Sequence, residues 1–305
     1  MQIHTVCGKK DLAELGNTLI HEHVICTGPE FSREYASWLP EELVLDIACK
    51  KIRFAAERYG IRTIIDGTPQ ALGRNLELLR TVSEKTGVNI IASTGFYFYN
   101  TFAIACLPEQ RVADFLIGEI TSGAIRPSML KCAADSDGLP PHVRKMMRIT
   151  ALVQKATDLP VFIHSYAPGR TGTEALQLFM ESGVSPSRIV VGHTADSNDL
   201  SYPLELLEKG CFISIDRISR SNALQKGTMA LELIRKGFEN KIFLAHDHIC
   251  CKDSLMNQPP DSQGEPGGLD TISAVILPML QENGFGESTV ENLLKKNLCA
   301  LFAAS

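Results

Sequence analysis

The sequence predicts a closed (β/α)8 barrel with a short hairpin at its N-terminal end. Short apolar runs recur eight times, amphipathic stretches of helical period separate them, and a glycine stands at many junctions from helix to run. Runs this short, rich in Ile and Val and apolar at nearly every position, suit strands buried on both faces of a parallel sheet. Eight strand–helix alternations close a TIM barrel. The competing doubly wound open sheet would carry a glycine-rich phosphate loop after its first strand, and none follows here.

Residues 3–15 read as a hairpin capping the barrel bottom, and the eight predicted strands follow. They are 18–24 (TLIHEHV), 61–66 (IRTIID), 88–94 (VNIIAST), 127–133 (PSMLKCA), 160–164 (PVFIH), 188–193 (RIVVGH), 211–216 (CFISID) and 241–247 (KIFLAHD). In 41–60, Leu43, Ile47, Ile52, Ala55, Ala56 and Tyr59 recur at three- to four-residue spacing and predict a helix burying that face. Gly60, Gly87, Gly183, Gly210 and Gly237 end helical stretches, where a left-handed cap belongs. Thr171 with Glu174, and Ser288 with Glu291, have capping-box spacing at two predicted helix starts. Residues 248–267 lack any period and are expected as the loop after the eighth strand, at the mouth. No linker interrupts the pattern, so 1–305 is expected as one barrel domain.

Composition narrows the function classes. With 44% hydrophobic and 21% charged residues the chain is globular rather than disordered. The net charge of −5, without a Lys/Arg run, argues against nucleic acid or an anionic membrane as partner. Nine cysteines, an odd number with no CxxC pair, read as free thiols in a reducing cytoplasm rather than a disulfide or zinc framework. The N-terminus has no charged segment followed by an apolar one, and no apolar run reaches the roughly 18 residues of a membrane span.

The chemistry sits at predicted strand ends. His21 and His23 form H-x-H, and on a strand residues i and i+2 share a face, so two imidazoles converge. Two structural histidines would fit that pair taken alone. His164 ends the fifth run, His193 the sixth and Asp247 the eighth, each one or two repeats from the last, while Lys131 lies inside the fourth. All six residues then gather at the C-terminal end of one barrel, where catalytic residues of this fold lie. A lysine among apolar neighbours loses the solvation of its charge, so its pKa falls, unless it snorkels to the rim. A neutral amine can add carbon dioxide to give a carbamate, whose two oxygens would bridge two cations.

With these residues the chain resembles the phosphotriesterase family of the amidohydrolase superfamily. The segments TLIHEHV, GIRTIIDGTPQALGRN, NIIASTGFYFY, LKCAAD, GHTADSND and FLAHDHICC carry the likeness from about residue 5 to 302. The resemblance implies a binuclear centre with His21, His23 and Asp247 on a buried metal, His164 and His193 on a more exposed one, and carboxylated Lys131 with a hydroxide between them. Zinc is the expected metal, with cobalt, iron or manganese as alternatives. Asp247 would also take the proton of the attacking oxygen and deliver it to the leaving group. A homodimer is implied as well.

Tyr97 and Arg217 match substrate-site positions of the phosphotriesterase-like lactonases, although Tyr97 can be mouth packing and Arg217 a salt-bridge partner of Asp216. The single tryptophan is Trp38, and 252–267 is polar with Pro and Gly, which departs from the apolar acyl channel of those lactonases. Arg170, Arg217, Arg220 and Lys252 lie near predicted strand ends, where a phosphate would need them, although each can equally belong to a solvated mouth. The expected activity is hydrolysis of a small-molecule ester or lactone, with weak phosphotriester turnover. A phosphorylated-sugar lactonase or an amide hydrolase are the alternatives, and a non-catalytic metal-binding barrel is the alternative of another class. His246 is expected to face the helix layer, and Glu22 to face it too or else to support a neighbouring ligand. His248, Cys250 and Cys251 are expected to pack rather than ligate, and His4 and His142 to lie on the surface.

Overall fold

The eight apolar runs become eight consecutive parallel strands. The computed structural model describes residues 1–28, 39–252 and 268–303. A two-stranded antiparallel hairpin, β1 (Gln2–Thr5) and β2 (Gly8–Asp11), precedes the barrel. Around the barrel run β3 (Asn17–Cys26), β4 (Ile61–Asp66), β5 (Asn89–Gly95), β6 (Met129–Ala134), β7 (Val161–Ser165), β8 (Ile189–Val191), β9 (Phe212–Ile215) and β10 (Ile242–Leu244), each paired in parallel with the next. Helices fill the connections and cover the outer face. Trp38 and most of 252–267 lie outside the described residues.

The eighth barrel position departs from expectation. It is a broken strand rather than one run from 241 to 247. β10 pairs with β9, and a further strand β11 (Ile249–Lys252), expected as loop, pairs in parallel with β3. The break falls at Asp247, whose φ of 51° is left-handed and cannot continue a strand. Closure runs through the break itself, where Asp247 N–H donates to His21 C=O at 3.0 Å and His23 N–H to His248 C=O at 2.8 Å.

Inside the barrel an apolar plug fills the lower layers. Ile20, Ile65, Ile91, Met129, Phe162, Val190, Phe212 and Phe243 meet there. Ile3 and Leu12 from the hairpin segment and Leu298, Leu301 and Phe302 from the C-terminal helix close the same cluster from below. That is the bottom cap expected of the hairpin. Against β4, three residues of β3 from Leu19 to Glu22 span two of β4, a bulge that shifts the facing pattern along β3. Ile20 thus joins the plug, and His21 packs its ring 4.2 Å from that of Phe162 at the plug's upper edge.

Local expectations fared unevenly. All five glycines adopt positive φ at or just past helix ends. Both capping boxes fail: the helix Thr171–Glu181 has no side-chain cap, because the Thr171 hydroxyl donates to Ala134 C=O and accepts from Tyr166 N–H. The helix Glu287–Glu291 begins at Gly286, also uncapped. In the helix Glu41–Tyr59 the buried face is Val44, Ala48, Cys49, Lys51, Ile52 and Ala55, while Leu43 is exposed. On that face Lys51 reaches inward to His248 Nε2, 3.1 Å away.

Candidate metal centre at the barrel mouth

Each of the four imidazoles at the mouth has one nitrogen tied outward and one turned inward. Asp216, fully buried at the end of β9, lies 3.1 Å from His21 Nδ1 and 2.7 Å from His193 Nδ1, and it also accepts the His193 backbone N–H. His23 Nδ1 lies 2.8 Å from the Thr68 hydroxyl, and His164 Nε2 lies 3.1 Å from Asp135 Oδ2. Such outer partners fix the tautomer and the ring plane, leaving the inner nitrogen as the ligating atom.

The inner atoms converge. His21 Nε2 is 2.7 Å from Lys131 Nζ and 3.4 Å from Asp247 Oδ1. His23 Nε2 is 3.1 Å from the same oxygen, and His193 Nε2 is 2.9 Å from His164 Nδ1. The rings of His21 and His193, 5.4 Å apart, join the two halves. All six sequence-predicted residues are thus brought together beneath one cavity of about 730 Å³ at the mouth. Gly67 allows the close approach, since a Cβ there would stand 2.6 Å from the His21 ring and 3.2 Å from that of His23.

The electrostatics follow from burial. Burial, then Lys131, lowers the His21 pKa to about 3; burial, then His193, lowers that of His164 to about 4. Both rings are therefore neutral bases. His23 goes the other way: burial alone would lower it, but Cys26 and Asp247 beside it raise it well above the usual range. Lys131 is fully enclosed, its amine 4.3 Å from the centre of the Phe162 ring, and burial brings it down to about 8. Asp135 is held at about 2, chiefly by its hydrogen bond from His164. Burial opposes the charge of Asp247, yet His21, His23 and His193 hold it well below the carboxylate range.

This donor set fits divalent cations. With their outer nitrogens donating to carboxylates, the inner nitrogens of His193 and His164 present two lone pairs to each other at 2.9 Å. That arrangement is repulsive unless a proton or a metal cation is shared between them. His21, His23 and Asp247 form a second group with ligand atoms close enough for one ion. His21, His193 and Asp216 meet the same spacing, but Asp216 takes the outward Nδ1 atoms and serves as their support.

Tyr97 and Arg217 both line the cavity. The Tyr97 ring lies edge-on to His164 at 5.2 Å, and burial, then Asp247, raises its hydroxyl pKa. Arg217 pairs with Asp247 through Nε at 3.1 Å and with Asp196 at 2.6 Å rather than with Asp216, whose oxygens are taken by the histidines. Lys226 approaches the other Asp196 oxygen at 2.6 Å. Arg220 and Lys252 also line the mouth, whereas Arg170 pairs with Asp199 and Glu205 away from it. His246 turns from the axis onto Glu22, as expected of both. Sequence reading missed Asp216, Asp135 and Thr68 as supports. A lone carboxylate ending an apolar run, as in CFISID, was the available signal for Asp216.

Known proteins offer close parallels. The sequence profile of the phosphotriesterase family matches residues 1–302. An aryldialkylphosphatase of Saccharolobus solfataricus is 29% identical, covering 93% of this chain and 94% of that protein. The N-acetyltaurine hydrolase of Rattus norvegicus is 27% identical, covering 97% and 96%. The solved structure of the phosphotriesterase from Mycobacterium tuberculosis superposes with a TM-score of 0.90 at 28% identity, covering 99% of this chain and 98% of that one.

Proposed function

The chain belongs to the phosphotriesterase family, and from that premise we propose that it is a binuclear-metal hydrolase of small polar lactones and carboxylic esters. The observation that carries this is the inward convergence of four imidazole nitrogens, the Lys131 amine and the Asp247 carboxylate. His21, His23 and Asp247 would hold one cation, and His164 and His193 the other. Lys131, enclosed and with its amine near neutrality, would bridge them as a carbamate. Two cations there would lower the pKa of a shared water and polarise the scissile oxygen.

The chain's own groups do the rest. Asp247 takes the nucleophile's proton and returns it to the leaving oxygen. Arg217 holds the Asp247 Oδ2 edge from the solvent side at 3.1 Å, which orients that carboxylate and leaves the guanidinium partly open to substrate. Tyr97 walls the cavity beside His164. The described β9 and β11 side of the mouth offers Arg217, Ser219, Arg220, His248 and Lys252, which suits a polar substrate. An amide hydrolase is the second reading, favoured by the likeness to a hydrolase of N-acetyltaurine.

A lactone panel tests the substrate class. Each buried CH2 is worth about 0.8 kcal/mol, so an apolar channel would make kcat/KM climb with acyl length. We expect little gain from short to long acyl-homoserine lactones and better rates on small hydroxylated ones. Arg217→Ala should impair lactones more than an activated aryl ester. A steep rise with acyl length contradicts the polar-mouth reading, and N-acyl amides turned over in preference to every lactone favour the second.

A further inference from the structure

Glu22 is a buried carboxylate that takes no part in the convergence just described. It lies on β3 between His21 and His23 and is only 1% exposed. Its Oε1 accepts the His246 backbone N–H at 2.9 Å and pairs with the His246 ring Nδ1 at 2.9 Å. Its Oε2 accepts the His248 backbone N–H at 2.8 Å. The Ile272 N–H donates to His246 Nε2, which leaves the ring proton on Nδ1, where it points at Glu22.

These bonds straddle Asp247. The residues on either side of it donate their N–H groups to one side chain, while its own N–H goes to His21 C=O. At this point the eighth strand breaks, and the two N–H groups face no ladder carbonyl that would satisfy them. A non-glycine residue at φ 51° is uncommon and persists where its surroundings over-determine it. This conformation aims the side chain inward, with Oδ1 3.1 Å from His23 Nε2 and Oδ2 3.1 Å from Arg217 Nε.

We propose that Glu22 is the positioning residue for Asp247: its carboxylate clamps the backbone on both sides of the break and so holds Asp247 in its ligating and proton-accepting pose. The role requires a carboxylate. Three donors reach its two oxygens, and a carboxamide of the same shape presents an N–H to one of them, an unpaired buried contact. The proposal rests on the hydrolase reading above, and its test separates the two.

The decisive variant is Glu22→Gln, examined first without metal. Amide hydrogen exchange across 243–252 should quicken markedly in the variant, while the β4–β5 pairing exchanges as in the parent. Zinc titration against a chelator should then give two ions per parent chain, with the affinity of the His21, His23 and Asp247 group weakened about ten- to hundred-fold in the variant. With saturating zinc, kcat should fall by a similar factor and KM change little. If Glu22→Gln does not fold, His246→Gln, which removes the ring donor but keeps both backbone bonds, should show the same changes in smaller degree. Unchanged exchange across 243–252, with two equally tight ions, overturns the clamp whatever the substrate. A parent chain that binds no zinc overturns the hydrolase reading instead, and quickened exchange in the metal-free variant would still uphold the clamp.

Discussion

The two ends of the barrel are built on opposite principles. At the bottom, the hairpin segment and the C-terminal helix bury Ile3, Leu12, Leu298, Leu301 and Phe302 against the apolar plug. The principal polar device there is Arg188, which donates to Leu301 C=O at 2.9 Å and Phe302 C=O at 2.8 Å and pairs with Asp158. At the mouth the buried groups are ionisable, and His193, Arg217 and Asp247 all adopt left-handed φ where their strands end. Buried carboxylates replace missing strand partners there: Asp216 for His193, Glu22 for His246 and His248, and Asp66 for Val24 and Thr68. Stability is concentrated where the chain is apolar and regular. The mouth spends part of it to hold charges and bent backbone in one geometry.

Mutations at the two ends should therefore separate activity from stability. The largest effect is expected from Asp247→Asn, which keeps the size but removes the basic oxygen. Turnover should fall by about two to four orders of magnitude, and metal content should fall less. Near-normal turnover in a fully metallated variant would remove Asp247 from the proton-transfer role. At the bottom, Leu301→Ala should cost about 2–5 kcal/mol of stability, read by denaturant titration, while kcat per folded molecule stays at the parent value. A loss of kcat there would mean that the two ends are coupled. Asp216→Asn frees two imidazoles at once and should cost about ten- to hundred-fold in metal affinity or activity. A variant with parental metal affinity would leave Asp216 a purely structural acid.

A smaller effect comes from pH on the metal-free protein. His21 and His164 have pKa values lowered to about 3 and about 4, so at these two rings the unfolded chain binds more protons than the folded one below the ordinary histidine value of 6.5. Their contribution to stability is therefore present above pH 6.5 and is lost as the pH falls toward 4 and below. The melting temperature in chelator should decline through that interval. A flat profile would mean that these rings are protonated in the fold, contrary to the pairing drawn at the mouth.

Periodicity made the bottom of the molecule legible, and strand ends made the convergent polar residues of the mouth legible. All eight runs became strands because parallel strands buried on both faces must be apolar throughout. His21, His23, His164, His193 and Asp247 stood out because polar residues ending such runs have few other uses. The broken eighth strand stayed hidden, since a left-handed Asp247 leaves no mark in composition and Ile249–Lys252 is too short to show a period. Nothing in the sequence singles out Lys51, whose helix the fold lays over His248. Thr171 failed as a helix cap because a tertiary contact with Ala134 took its hydroxyl.

The proposed pair of cations depends most directly on Lys131, whose amine would have to be modified to bridge them. Metal analysis together with native intact mass, on the parent and on Lys131→Ala, tests it directly. Two ions per parent chain and an added mass of one carbon dioxide on Lys131 are expected. In Lys131→Ala, metal and activity should be lost together and return in part with a short carboxylic acid and bicarbonate. Two ions per chain with an unmodified Lys131 amine would contradict the carbamate bridge.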